Sequence, residues 1–356
     1  MNTFITIEDC RYIDTFKKET ISKFKKTDVI KEYLKCLYNK KIEDACFWSA
    51  ELVCSGNLLE LWNVILQYMS QYIHYGNPKL PIYIIDRYTT FKDIMSVKYI
   101  SNELDARNDK DIRHMFIEIS YILCMSQIKH VMYPIKIKNE QLQLIEVNHL
   151  MKAIDTSYGN RFFIKGDPME LFIPINEFAY HLSSDSKCKH DALFWSEWIL
   201  SYESYCKQKK HKLKCERRSF AHVPPILQMD IIWILWEFIL YESKNYSSIH
   251  QKIIKSLFEL YCIRFSIGMK RKRRYILYHA VGLLCETCLM NIPISSNGME
   301  ELNSVRISNN VYKQIKLNEK RGKEDYLFHG LEDQSKKNRE MTIKKLSMLN
   351  DIHNKI

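Results

Sequence analysis

The sequence predicts an all-α protein built as a tandem pair of five-helix units, joined by a connector and followed by a polar tail carrying a C-terminal helix. Three observations lead there. The 356 residues include only nine glycines and eight prolines, and most of these stand where a helix should stop or start. Apolar residues recur at helical spacing over long segments between those marks. The string Ala45-Cys46-Phe47-Trp48-Ser49 returns as Ala192-Leu193-Phe194-Trp195-Ser196, identical at four positions of five, with one of only six tryptophans in each copy.

Residues 1–27 form an N-terminal extension. The first unit, 28–126, is expected to hold helices at about 28–39, 42–55, 57–75, 78–95 and 110–126. Gly56 suits the position just past the second helix, and Asn57 is placed to cap the third. Gly76-Asn77-Pro78 repeats the device, with proline at the first helical position of the fourth. The connector, 127–167, has room for a short strand at Met132-Tyr133-Pro134-Ile135-Lys136-Ile137-Lys138. In the second unit, 168–290, helices are expected at about 168–184, 188–207, 225–243, 246–265 and 271–290. Asp167-Pro168-Met169-Glu170 has the form of a capping box, and Pro224-Pro225 opens the third of these helices. The tail, 291–356, is polar, with a last helix near 334–352.

The duplication extends beyond one string. Ile30-Lys31-Glu32-Tyr33 parallels Ile175-Asn176-Glu177-Phe178, Trp62 parallels Trp233, and Arg113 with Leu123-Cys124 parallels Arg274 with Leu284-Cys285, all in the same order. The changing offset requires an insertion at 207–224 in the second unit and a longer loop near 96–109 in the first; both fall between helices, where insertions are tolerated. Ala45, Trp48, Ser49 and Leu52 share one helical face, as do Ala192, Trp195, Ser196 and Ile199. Trp48 and Trp195 are therefore expected in the core, together with Trp233 and Trp236.

No catalytic signature is present. The chain lacks a phosphate-binding P-loop, a dinucleotide fingerprint, a zincin helix and a nucleophile elbow, so a nonenzymatic role is expected, with no cofactor. The eleven cysteines are an odd number scattered through helical patterns, which fits reduced thiols. Cys285 and Cys288 form a lone CxxC inside an apolar run, and Cys188, His190, Cys206, His211, Cys215 and His222 match no usual zinc framework; no metal site is assigned. Asp230 with Glu237, and Asp105 with Asp109 and Asp111, read as solvated helix ends, and His279 as a satisfied helix residue. Met1–Cys10 lacks the basic start and apolar core of a secretory signal, and no segment is long and apolar enough to span a bilayer. An intracellular protein without membrane contact is expected.

The basic residues say more. Lys207, Lys209, Lys210, Lys212, Lys214, Arg217 and Arg218 stand against the single Glu216, and Lys270, Arg271, Lys272, Arg273 and Arg274 follow one another. The excess charge of these two segments equals the formal net charge of the whole chain, +11. Positive charge at the start of a helix opposes its macrodipole, so folding alone does not favour the cluster at 270–274. These twelve residues are the candidate contacts to the phosphate backbone of a nucleic acid. An acidic protein surface would offer a similar match. The alternative reading is a helical protein–protein scaffold without nucleic-acid contact, using a tail segment that includes Tyr326, Leu327 and Phe328.

Two resemblances accompany these readings. Ile42-Glu43-Asp44-Ala45-Cys46-Phe47-Trp48-Ser49-Ala50-Glu51-Leu52, then Gly56, Leu61-Trp62 and Ile73-His74-Tyr75-Gly76-Asn77-Pro78-Lys79, resemble the helical oligomerisation collar of clamp-loader-related AAA+ ATPases. The ATPase module is absent; the likeness implies a helical collar near replicating DNA and no ATP-driven action. Over its length, at strings such as Cys215-Glu216-Arg217-Arg218-Ser219-Phe220-Ala221 and Gln228-Met229-Asp230-Ile231-Ile232-Trp233, the chain resembles a family of uncharacterised proteins of large nucleocytoplasmic DNA viruses. That resemblance implies a viral factory in host cytoplasm as the setting, and no activity; the expected role is that of an accessory protein of viral replication or transcription, with the nucleus as the other location. Paired five-helix units are also similar in architecture to the cyclin-like repeats of transcription factor IIB.

Overall fold

A computed structural model describes residues 5–99, 103–294 and 300–320, and the fold is all-α. The first helices follow the punctuation closely: α1 (Lys26–Tyr38), α2 (Ile42–Cys54), α3 (Leu58–Tyr68), α4 (Leu80–Lys98) and α5 (Lys110–Met125). Gly56 ends α2 at φ +68°, a conformation in which a side chain would be strained. Asn57 occupies the cap position of α3, but its amide donates to the Phe16 carbonyl instead of capping. Past Tyr68 the helix loosens into a π turn at Met69–Ile73, and α4 begins two residues beyond Pro78.

The connector contains no strand. Lys129 and Met132 donate their backbone N–H groups to the carbonyls of Tyr72 and Gln71, the Gln71 amide returns to the Met132 carbonyl, and Ile135 N–H reaches the Tyr278 hydroxyl. Helix ends and side chains thus satisfy the groups that a second strand would have taken. A short helix, α6 (Ser157–Asn160), precedes α7 (Phe172–Leu182), α8 (Lys189–Gln208), α9 (Ile232–Glu242) and α10 (Ser248–Cys262). The expected fifth helix of this half is two pieces, α11 (Met269–Lys272) and α12 (Arg274–Cys285), ending before Cys288. The capping box is absent because the Asp167 carboxylate turns to Arg218 and to the N–H groups of Ile164 and Glu216.

Helices α1, α2 and α5 pack on one another, and α7, α8 and α12 do the same, while α4 packs against α10 across the two halves. One hydrophobic core therefore runs through both, including Trp62, Trp195, Trp198, Trp233 and Trp236. Gly282 allows the contact between the π-turn region and α12, since a Cβ there would overlap the Tyr75 hydroxyl. Trp195 is fully buried as expected, but Trp48 is only partly so: its ring leans edge-on against Phe24, itself 44% exposed.

A second, smaller core lies behind α2 and α5. There α13 (Glu300–Lys316), a helix the polar tail did not suggest, packs Ile307, Val311, Tyr312 and Ile315 against Ile7, Phe16 and Ile21 of the N-terminal extension and Cys46, Ala50 and Cys54 of α2. The predicted helix at 334–352 and Tyr326, Leu327 and Phe328 lie outside the described residues.

Asp109 caps α5, accepting hydrogen bonds from Asp111 and Ile112 N–H, and is buried. Burial works to raise its pKa, but the Ile112 N–H, Lys98 and Tyr99 together outweigh it and hold the carboxyl below its ordinary value. A carboxyl so depressed stabilises the fold above its unfolded pKa, and the contribution is lost as pH falls through the folded value. Asp109→Ala is therefore expected to cost about 1–2 kcal/mol near neutrality. In urea unfolding the gap from the unsubstituted protein should narrow below about pH 3; an equal gap at both pH values would refute the charged cap.

Candidate nucleic-acid interface

The cap of α8 shapes the first basic segment. Lys210 adopts a left-handed conformation at φ +62°, and the N–H groups of Lys209 and His211 return to the carbonyls of Tyr205 and Cys206, closing the helix. Lys207, Lys209 and Lys210 thus stand at a helix C-terminus, where the macrodipole favours cations. The chain then runs extended and is pinned twice: buried Cys215 donates its N–H to the Met229 carbonyl and Arg218 donates its own to Gln228. Between and beside these anchors Lys212, Lys214 and Arg217 remain exposed.

The second segment docks on the same helix. Lys270 on α11 is buried and reaches Glu203 at 2.5 Å and Asp230 at 2.8 Å, while the exposed Arg271 donates to the Ser204 hydroxyl at 2.8 Å. Ser204 and Lys207 are one turn apart on α8. The exposed Arg271 therefore stands against α8 about one turn before Lys207, where the first basic segment begins. A groove of about 380 Å³ opens between α3 and the second segment, lined by Glu60, Asn63, Gln67, Arg271, Lys272 and Arg273.

Four of the twelve predicted contacts require correction. Arg218 is buried in ion pairs with Asp167 and Glu237. Lys270 is buried against Glu203 and Asp230, and Arg274 is half-buried and paired with Glu197 at 3.3 Å. Arg273 is 5% exposed, donating to the Tyr261 carbonyl and toward Asn63, with no carboxylate within ion-pair distance among the described residues. Burial pushes its pKa down from the usual guanidinium value. These four cations are held by the fold, and Asp230 and Glu237 are partners of Lys270 and Arg218 rather than solvated helix ends. The other eight, Lys207, Lys209, Lys210, Lys212, Lys214, Arg217, Arg271 and Lys272, are exposed and have no carboxylate within ion-pair distance among the described residues.

The cysteines are all unpaired, and burial pushes Cys285 up to about 12, keeping it a thiol. His279 is fully buried and neither ring nitrogen has a hydrogen-bond partner among the described residues, unlike the satisfied residue expected. Of the six scattered Cys and His residues near the insertion, Cys188 alone joins a group with metal-ligand spacing among the described residues, with His181 and Asp191, which the sequence did not single out. No helix among the described residues is long and apolar enough to cross a membrane. Comparison with protein-family models, curated proteins and solved structures gives no match.

Proposed function

We propose that this chain is a nonenzymatic accessory protein that binds the phosphate backbone of nucleic acid through the exposed cations at the end of α8 and on α11. The Arg271–Ser204 hydrogen bond carries this reading, because it seats the second basic segment on α8 about one turn before the first begins. Eight exposed cations without carboxylate partners among the described residues leave a field that a polyanion can neutralise. The side chains are mostly lysines, which suit point contacts to phosphates rather than base readout, so little sequence preference is expected. The resemblance to proteins of large DNA viruses supports a viral factory as the setting, where viral replication or transcription would supply the nucleic acid.

The test is fluorescence anisotropy of mixed-sequence duplex and single-stranded DNA at about 50 and about 200 mM salt. Reversing Lys209, Lys210, Lys212, Lys214, Arg271 and Lys272 to glutamate should lower affinity at least about tenfold. The log–log salt slope should flatten by about 0.9 for each duplex phosphate that the reversed protein no longer neutralises. Unchanged affinity in the reversed protein, or no binding by the unsubstituted protein at low salt, would defeat the proposal.

A further inference from the structure

At the junction of α7 and α8, well apart in sequence from both basic segments, lies a cluster with a different chemistry. Glu177 and His181 are one turn apart on α7, and Cys188 and Asp191 begin α8. The ring of His181, the Cys188 sulfur and an Asp191 carboxylate oxygen offer ligand atoms all within 4.8 Å of one another. The Cys188 N–H bonds back to the His181 carbonyl, and the Ser186 hydroxyl lies 2.9 Å from His181 Nδ1, so the short loop between the helices holds this arrangement.

One atom is unexplained. His181 is fully buried, and its Nε2 has no hydrogen-bond partner among the described residues. It faces Glu177 Oε2 at 3.6 Å and Asp191 Oδ2 at 3.9 Å. Ser186 Oγ pairs with Nδ1, so Nε2 is the ring atom left facing two carboxylates; in the tautomer that carries its proton on Nδ1, the Nε2 lone pair meets them at a place where a cation would fit.

We propose that His181 Nε2, Cys188 Sγ and the carboxylates of Asp191 and Glu177 form a binding site for a transition-metal dication, with zinc the best match. The mixed nitrogen, sulfur and oxygen donor set suits zinc, and tetrahedral coordination needs ligand atoms about 3.3–3.8 Å apart. Cys188 and Asp191 are only partly buried, which provides an entry route and freedom to contract. Ser186 supplies the outer-shell contact that orients the ring. Charge also balances: a dication together with the Lys152 ammonium, 2.6 Å from Asp191, matches two carboxylates and a thiolate. The thiol proton leaves to solvent as the metal enters. Glu177 accepts the backbone N–H groups of Lys152 and Ala153, so the ion would tie the connector to α7 and α8, a structural role with all four positions filled by protein.

The experiment titrates Co²⁺ alone into the purified, chelator-treated full chain. A single equivalent should bind, giving tetrahedral d–d absorption and a thiolate-to-cobalt charge-transfer band. Cys188→Ser should abolish the charge-transfer band while far-ultraviolet circular dichroism is kept. Cys285→Ser, at a neighbouring thiol, should retain it. Ser186→Ala should retain the band but weaken binding about 10–100-fold. Absence of tetrahedral absorption in the unsubstituted chain, or a charge-transfer band undiminished in Cys188→Ser, would overturn the site.

Discussion

Replacing Arg218 by methionine is expected to destabilise the protein by about 3–5 kcal/mol, as removal of one member of a buried ion pair generally does. Arg218 is 2% exposed and binds Asp167 through both Nη atoms, at 3.0 and 2.7 Å, while its Nε reaches Glu237 at 3.0 Å. It also donates to the carbonyls of Phe162 and Glu216. Methionine fills similar volume, so the loss is chiefly electrostatic: Asp167, whose side chain is wholly buried, would be left with only backbone donors around it. Arg218→Lys should recover only part of the loss, because a single ammonium cannot reproduce the planar fork that reaches both carboxylates. Urea unfolding measures this directly. Lys209→Glu and Lys212→Glu, at exposed positions of the same segment, should stay within about 0.5 kcal/mol of the unsubstituted protein. A cost below about 1 kcal/mol for Arg218→Met would show that the residue is not a structural anchor.

Trp195→Ala should be comparably severe, at about 3–5 kcal/mol, whereas Trp48→Ala, its counterpart in the first copy, should cost less than half as much. The two rings occupy matching sequence positions in unequal surroundings. Trp195 is fully buried beside Phe194 and Trp198, so its removal leaves a cavity that cannot fill with water. Trp48 lies at the edge of the bundle against Phe24 and Phe47, where solvent can occupy the vacated space. Trp195→Phe should be milder than truncation, because the buried indole N–H has no hydrogen-bond partner to lose. Trp198→Phe should cost more, since its N–H donates to the Gln141 carbonyl at 2.7 Å. Thermal unfolding of the four variants tests the ranking; equal losses for Trp48→Ala and Trp195→Ala would contradict the observed difference in burial.

The helices were legible because their signals are local. Apolar spacing and the glycines after α2 and before α4 act within a few residues, and so survive being read along a line. The face holding Ile307, Val311 and Ile315 carries the same spacing, but polar neighbours across α13 hid it, and its partners at Ile7, Phe16 and Ile21 lie at the opposite end of the chain. The candidate site was legible by composition and not by exposure. Arg217 and Arg218 are adjacent in sequence, yet one faces solvent and the other is buried, and nothing local distinguishes them. The same holds for Lys270 beside Arg271. His181 escaped notice because its unpartnered nitrogen is a property of the packed junction.

By itself, the sequence determined that this chain is all-α, where most of its helices begin and end, and that its excess charge gathers in two short segments. Only the tertiary structure decided which of those charges remain for a partner. Whether a cation faces water depends on carboxylates brought beside it: Asp167 is 51 residues from Arg218, and Glu203 and Asp230 are 67 and 40 residues from Lys270. Helix formation is governed by neighbours along the chain, whereas desolvation and ion pairing are governed by neighbours in space.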